Sequence, residues 1–298
     1  MKKLHSLLLV IFVILLQSCG QKNDAEVVNI RFPQINTDQQ LTCIEKGSKE
    51  ALEIVSWNIE HFPKNGDYTL NKVKETILEM EMDLIAVQEI SKAKQFDYLL
   101  TQLNNYHGVY GENKYIRLGF IYNTNQLEVV TPAKELFKTQ TVEFPRSPLV
   151  MKFKHKESGE EFTAINIHLK CCSDPKNVKR RKDAMRILKN YIDTELSGES
   201  VVLLGDFNQP IKTSDEYKNI YYQFQLDPNY IMTTDFLLGN SDRWSYPKWP
   251  SHLDQIIISG HFLNGRQVTD TMTIDKCDQT YIKRISDHRP VFIKLNDL

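Results

Sequence analysis

The chain has no apolar run long enough to cross a bilayer: its longest, Leu7 to Leu16, falls well short of the roughly 20 residues a spanning helix needs. Nor does it carry a surplus of one charge. Lys and Arg number 37 against 38 Asp and Glu, so no overall field advertises a nucleic acid or a membrane surface. It lacks any Cys-x-x-Cys spacing, which removes the usual signature of structural zinc. It also lacks short-period repeats, and between residues 51 and 298 there is no linker and no change of composition, so this span reads as one domain. With 41% hydrophobic residues it has the material for a large core, and a disordered chain is excluded.

What is present begins at the N-terminus. Met1-Lys2-Lys3, the apolar run and then Gln17-Ser18-Cys19-Gly20 have the order of a signal peptide, expected to span residues 1–18. Leu16-Gln17-Ser18-Cys19 resembles a bacterial lipobox, which implies that Cys19 is lipidated and becomes the mature N-terminus. Residues 19–48 then read as a lipidated end and a polar tether, with the domain at 49–298. The expected protein is exported and lipid-anchored to a bacterial membrane, on its periplasmic or cell-surface face. Export permits disulfides among Cys43, Cys171, Cys172 and Cys277. Neighbouring Cys171 and Cys172 can hardly pair without strain, so the expected bridge joins one of them to Cys43 or Cys277.

Hydrophobic periodicity predicts strands at residues 52–57, 84–88, 118–122, 126–130, 148–154, 162–168, 201–204, 255–259, 268–274 and 291–295. Helices are expected near 70–80 and 96–103. A longer one, at 177–196, has Val178, Ala184, Met185, Ile187, Leu188, Tyr191 and Ile192 on one face and most of its basic residues on the other. Strands mixed with helices, some joined by short turns, point to mixed sheets covered by helices, an α/β chain of the α+β type.

Polar chemistry collects at the ends of these strands. Glu89 follows Leu84 to Val87, His168 follows Ala164 to Ile167, Asp206 follows Val201 to Leu204, and Asp287-His288 precedes Val291 to Leu295. With Asn58, Asn208 and Asp254 they form a set of carboxylate, amide and imidazole groups. Oxygen donors of this kind suit a hard cation such as Mg²⁺, which keeps waters for phosphate oxygens.

Six segments in order carry a resemblance: Ser56-Trp57-Asn58-Ile59, Gln88-Glu89, Ile167-His168-Leu169, Gly205-Asp206-Phe207-Asn208, Leu253-Asp254-Gln255-Ile256 and Ser286-Asp287-His288-Arg289-Pro290. Together they resemble the endonuclease/exonuclease/phosphatase superfamily of metal-dependent phosphodiesterases, over essentially the whole domain. The resemblance implies a four-layer αββα sandwich, two mixed β-sheets face to face with helices outside. It implies Mg²⁺ or Mn²⁺ on Glu89 with Asn58 and Asp287 close by, and a His288 ring oriented by Asp254. It further implies that Asp206 handles the attacking water, that Asn208 donates to phosphate, and that His168 stabilises the transition state. The base role is left open between Asp206 and His288. Arg146, in Phe144-Pro145-Arg146-Ser147-Pro148, resembles the phosphate-binding Arg of secreted deoxyribonuclease-like members. One departure stands out: where those nucleases hold the matching histidine with a Glu, residues 114–118 here read Lys-Tyr-Ile-Arg-Leu, so a partner for His168 is missing or supplied elsewhere.

The substrate is less determined. A phosphodiester in nucleic acid is favoured by Arg146, by the basic segment 176–189 with Lys179, Arg180 and Arg181, and by the aromatic loop Trp244 to Trp249, whose rings can stack on bases or pack internally. A phospholipid or sugar-phosphate ester is the alternative, drawn from the anchor, although no long apolar hairpin is present. A binding protein with a dead site ranks last, because every matched catalytic position is filled. No protein partner is implied.

Overall fold

A computed structural model describes residues 43–211 and 219–298. The expected signal peptide, the Cys19 lipidation site and the tether up to residue 42 lie outside the described residues.

The first half of the chain runs β1 (Leu52–Phe62), α1 (Asp67–Met80), β2 (Leu84–Ile90), α2 (Ala93–Thr101), β3 (Tyr106–Tyr110), β4 (Arg117–Asn123), β5 (Leu127–Glu135) and β6 (Leu149–His155). The second half runs β7 (Glu161–His168), α3 (Pro175–Glu195), β8 (Ser200–Asp206), α4 (Tyr222–Gln225), β9 (Tyr230–Met232), β10 (Asp254–Ser259), β11 (Arg266–Thr271), α5 (Ile274–Cys277), α6 (Tyr281–Arg284) and β12 (Val291–Asn296). The strands make two six-stranded sheets, in the orders β11-β12-β1-β2-β4-β3 and β5-β6-β7-β8-β10-β9. Each sheet contains one parallel pair, β1 with β2 and β7 with β8, connected by α1 and α3 respectively, and is otherwise antiparallel.

Strand periodicity explains the layering. Successive side chains point to opposite faces, so Leu52 and Ile54 of β1 enter one apolar cluster while Val55 and Trp57 enter another. Val202 and Leu204 of β8 meet Leu52 and Ile54 between the sheets, whereas Val201 and Leu203 join Ala184, Met185 and Leu188 of α3 outside. Three clusters between four layers make the αββα sandwich. Each fully buried Leu, Ile, Val or Phe adds about 1.5–3 kcal/mol. No described helix is long and apolar enough to cross a membrane.

The structure departs from the sequence reading in places that have physical causes. β5 continues through Pro132 to Glu135, with register shifts, because it is an edge strand and the missing proline N–H breaks no ladder. β3 and β9 were not anticipated: Tyr-His-Gly-Val-Tyr is short and glycine-bearing, and β9 is three residues long. The strand expected at 268–274 ends at Thr271, and Ile274 starts α5. Residues 43–48, expected in the tether, pack on the domain: Gly47 N–H donates to Met80 O, and Ser48 donates twice to Glu53 Oε1. The disulfide is also different. Cys43 pairs with Cys277, and Cys171 and Cys172 are free. Ile44 packs on the apolar cluster that holds Ile274 and Ile285, which brings Cys43 to the end of α5, whereas the two adjacent cysteines follow β7 in the other sheet.

Candidate active site

Parallel pairing sends both strands of a pair out at the same edge. β1 and β2 therefore deliver Asn58 and Glu89 together, with Asn58 opposite Gln88, and β7 and β8 deliver His168 directly opposite Asp206. The antiparallel neighbours start at this rim. Asp254, first residue of β10, pairs with Asp206, and Asp287-His288 leads into β12, whose Val291 pairs with Ser56. Two positions require unusual backbone. Glu89 has a φ of 67° at a break in the β2 register. Gly205 has a φ of 144°, and a Cβ there would lie 2.0 Å from Ile167 O, so only glycine lets β8 close on β7 and place Asp206.

The side chains converge. Asn58 Nδ2 donates to Glu89 Oε1 at 3.2 Å and to Asp206 Oδ2 at 3.1 Å, joining the two sheets. Asp206 Oδ2 also lies 3.3 Å from His168 Nε2 and 3.8 Å from His288 Nε2, while Asp206 Oδ1 accepts from Asn208 N–H at 2.8 Å. His288 Nδ1 meets Asp254 Oδ2 at 2.7 Å, and its Nε2 lies 4.0 Å from Asp287 Oδ1. Glu89 and Asp287 are the more open carboxylates, at 15% and 14% side-chain exposure, against 2% for Asp206 and 0% for Asp254.

Burial and neighbouring charge set the protonation. Burial pushes the Asp206 carboxyl up and Asp254 adds to that against the pull of His288, leaving it at about 7. Burial opposes charge on His288, but Asp254 and Asp206 outweigh it and lift the ring to about 10. Burial, with Arg146 and His288 behind it, holds His168 well below its ordinary value, so this ring is neutral. Carboxylates around its Nε2 favour the tautomer with the proton there, and its Nδ1 is buried without a partner among the described residues. The acid that the sequence comparison found missing is thus not replaced at Nδ1.

Several supporting residues escaped the sequence reading. Trp57 Nε1 donates to the Tyr281 hydroxyl at 2.9 Å, which donates to His288 O at 2.7 Å; Ser286 Oγ donates to Asn58 O at 2.6 Å. Glu60 Oε2 accepts from Asp287 N–H at 2.8 Å, and Ser245 Oγ accepts from Asp254 N–H at 3.1 Å. Gln88 Nε2 donates to Asn166 Oδ1 at 2.9 Å, a polar tie between the sheets. Glu60 and Ser286 lie inside the quoted motifs or beside them; Tyr281 and Ser245 had no local signal.

The expected substrate-binding groups fare differently. Arg146 donates to His168 O at 3.1 Å and Leu169 O at 2.6 Å, which fixes its guanidinium at the rim. Asn208 Nδ2 donates to Leu169 O at 3.0 Å. In the basic segment, Arg181 is no polymer contact. It is buried, with Nη1 on Lys170 O and Cys172 O and Nη2 on Gln209 Oε1. It occupies the apolar stripe of α3, three residues after Val178 and four before Met185, held there through both terminal nitrogens while its buried Nε has no partner among the described residues. Arg180 Nε donates to Val142 O, and Lys179 pairs with Asp183. In the aromatic loop, Tyr246 packs on His288 with ring centres 4.8 Å apart, and Trp249 is 72% exposed.

The donor set fits a hard divalent cation. Glu89 and Asp287 offer carboxylate oxygens and Asn58 an amide whose Oδ1 accepts from Glu60 N–H here, and Glu89 and Asp206 are drawn together on its Nδ2 with no Lys or Arg paired to either among the described residues. Asp206, Asp254 and His288 also bring one donor atom each within 4.8 Å of one another. There, however, His288 Nδ1 and Asp254 Oδ2 already bond to each other, as a proton-handling pair does, so the oxygens of Glu89, Asn58 and Asp287 are the set that suits a hard cation better.

Known proteins share this fold. No curated protein sequence matches the chain. Among solved structures, D. rerio TDP2 complexed with single-strand DNA product shares the fold with a TM-score of 0.67 and 16% identity, over 83% of this chain and 99% of that one. The human Nocturnin catalytic domain with bound sulfate gives 0.60 and 18%, over 83% and 93%. A mannosyl-6-phosphatase of Bacteroides thetaiotaomicron gives 0.57 and 15%, over 82% and 99%. A sequence model described as "Endonuclease/Exonuclease/phosphatase family" matches residues 55–288, a span that opens within β1 and closes on His288, and the chain belongs to that family.

Proposed function

We propose that this protein is a divalent-metal-dependent phosphodiester hydrolase acting on nucleic acid. The observation that carries the reading is the meeting of Asn58, Glu89, His168, Asp206, Asp254 and His288 at one rim, with the His288–Asp254 pair closed at 2.7 Å. Mg²⁺ or Mn²⁺ held by Glu89, Asn58 and Asp287 supplies Lewis-acid stabilisation of charge on phosphate oxygens. The remaining roles belong to the chain itself. Asp206, oriented by Asn58 and by the Asn208 N–H, receives a proton from the attacking water. His288, kept cationic by Asp254 and Asp206, and His168, with Nε2–H directed into the site, donate to phosphate oxygens as charge develops there. Asp254 orients His288 and keeps its Nε2 directed into the site.

Two exposed rings support a nucleic-acid substrate. Trp249 is carried by the loop that packs Tyr246 on His288. Tyr115, 82% exposed, is carried by the loop in which Asn113 donates to Pro145 O, beside Arg146. Exposed rings on loops beside a phosphate site suit stacking of single-stranded bases. A sugar-phosphate ester is the second reading, favoured by the internal use of Arg181 and the bond of Arg180 to Val142 O, which withdraw two of the basic groups of α3 from a long polymer. The chain from residue 21 onward, assayed with Mg²⁺ or Mn²⁺ against plasmid DNA, RNA, bis(4-nitrophenyl) phosphate and mannose 6-phosphate, separates the readings. EDTA-sensitive nucleic-acid cleavage, lost in His288→Ala, is expected. Turnover of the monoester alone would overturn the nuclease reading.

The proposed location is the periplasmic or cell-surface face of a bacterial membrane, with Cys19 lipidated. The Cys43–Cys277 bridge, a bond that persists in oxidising compartments, supports it. Cys19→Ser should move the protein from the membrane fraction to the soluble one; retention in the membrane would contradict the anchor.

A further inference from the structure

After His168 the chain passes through Leu169, Lys170, Cys171 and Cys172 before α3 begins at Pro175. Side chains of adjacent residues in extended chain point apart, yet here the two Sγ atoms lie 3.0 Å from each other. They meet because the backbone turns: Cys172 has a φ of 81°, in the left-handed region that residues with a Cβ seldom adopt. The Lys170 ammonium sits 3.2 Å from Cys171 Sγ, and Cys172 is exposed. Burial works against a Cys171 thiolate, but hydrogen bonds from Cys172 and Lys170 outweigh it and lower the thiol. Cys172 is raised, first by its hydrogen bond to Cys171. One thiol is thus prepared to attack and the other to follow. Neither takes part in the hydrolytic chemistry above.

We propose that Cys171 and Cys172 are a reversible dithiol–disulfide site whose oxidant is an external disulfide, small or protein-borne. The Cys171 thiolate attacks one sulfur of the incoming disulfide, forming a mixed disulfide and releasing the first external thiolate. Cys172 then loses its proton and attacks Cys171 Sγ, releasing the second. Two electrons pass from the pair to the external disulfide, and the two thiol protons end on the two released thiolates. The ring is labile by construction. Adjacent Cα atoms lie about 3.8 Å apart, below the roughly 4.4–6.8 Å of ordinary bridges, so strain makes it easily reduced. The Cys43–Cys277 bridge, with Cα atoms 6.2 Å apart, falls inside that range.

The site is wired to the phosphate end of the cleft. Lys170 O and Cys172 O both accept from Arg181 Nη1, at 2.6 and 2.8 Å, and Leu169 O accepts from Arg146 Nη2 and Asn208 Nδ2. Closing the ring turns the peptide between residues 171 and 172, so carbonyls that hold Arg146 and Asn208 shift with it.

The test is mass spectrometry of the mature chain after exposure to glutathione disulfide, alkylation and tryptic digestion, which cuts after Lys170 and Lys176. Peptide 171–176 should resist alkylation and weigh two hydrogens less than the dithiol. Mild dithiothreitol should return it to the doubly alkylated form while Cys43–Cys277 stays closed. In Cys172→Ser a glutathione adduct should persist on Cys171. A peptide that stays fully alkylatable, or an adduct that Cys172 never resolves in the wild type, would overturn the proposal. Hydrolysis of bis(4-nitrophenyl) phosphate is the second readout, and it alone rests on the proposed function. Oxidation should change the wild-type rate by about tenfold and leave a Cys171→Ser/Cys172→Ser double variant unchanged; an unaltered wild-type rate would overturn the link to Arg146 and Asn208. No turnover in the reduced state would mark failure of the hydrolase reading, with the mass result still deciding the thiol site.

Discussion

Both rims of the sandwich bury acids, and they treat them in opposite ways. Where β1, β2, β7 and β8 end, Asp206 and Asp254 are buried against His288, His168 and Asn58, and their charge is met by imidazole and amide. Where β1 and β2 begin, Glu53 and Asp83 are buried against each other. Glu53 Oε1 takes two bonds from Ser48, Asp83 Oδ2 takes the Glu53 N–H, and Glu53 Oε2 and Asp83 Oδ1 have no donor among the described residues. Burial pushes Asp83 up to about 8, and the adjacent Glu53 adds to it, so this pair carries a proton at neutral pH. Burial raises a carboxyl at both rims, to about 7 at Asp206, where a cationic imidazole opposes it, and to about 8 at Asp83, where a second acid adds to it. One rim is equipped for chemistry, and the other stores a titration.

The largest effect is expected at the first rim. Asp254→Asn leaves the shape and removes the charge that orients His288, so kcat should fall by about 10³–10⁴-fold, with the thermal midpoint nearly unchanged; steady-state rates and a melting curve check both. Next, Glu89→Gln removes an anionic oxygen from the ion site, and Mn²⁺ affinity measured calorimetrically should weaken by about 10–100-fold. An unaltered affinity would move the ion to the Asp206, Asp254 and His288 group.

Stability effects are smaller and sit away from the ion. Arg181→Leu strips donors from Lys170 O, Cys172 O and Gln209, and urea unfolding should show a loss of about 3 kcal/mol. At the far rim the sign reverses. Asp83 has a folded value near 8, above its unfolded value of about 3.9, so its contribution is complete below pH 4 and is lost as pH rises through 8. Asp83→Asn should therefore match the wild type near pH 4 and exceed it by about 1–2 kcal/mol above pH 8, with activity intact. A variant no more stable at pH 9 than the wild type would break the contrast between the rims. Smallest of all, Lys179→Ala should change stability by less than about 0.5 kcal/mol, because its pair with Asp183 is exposed.

How much of this was legible in the sequence depended on range. The apolar runs that end in Glu89, His168 and Asp206 marked the central strands and the rim where these side chains meet, because burial on two faces and a polar residue at the exit are local properties of the chain. Edge strands were poorly marked: β3 and β9 are short, and Pro132 hid the length of β5. The disulfide could not be paired from spacing, since Cys43 and Cys277 meet only through the packing of Ile44 near α5. Tyr281, which holds both Trp57 and the His288 carbonyl, looks like any aromatic in its own segment. Arg181 was legible in principle, by its place on the apolar stripe of α3, but a cation on an amphipathic helix belongs by default to the solvent face.

The central claim is that the meeting of these six side chains makes a hydrolytic centre and is not merely a polar plug. The most direct test is the rate of bis(4-nitrophenyl) phosphate hydrolysis at neutral pH with Mn²⁺, in the wild type and in His288→Ala. A rate that EDTA abolishes and the variant lacks, with both proteins folded, is the predicted result. Equal rates in the two proteins, or turnover indifferent to EDTA, would contradict it.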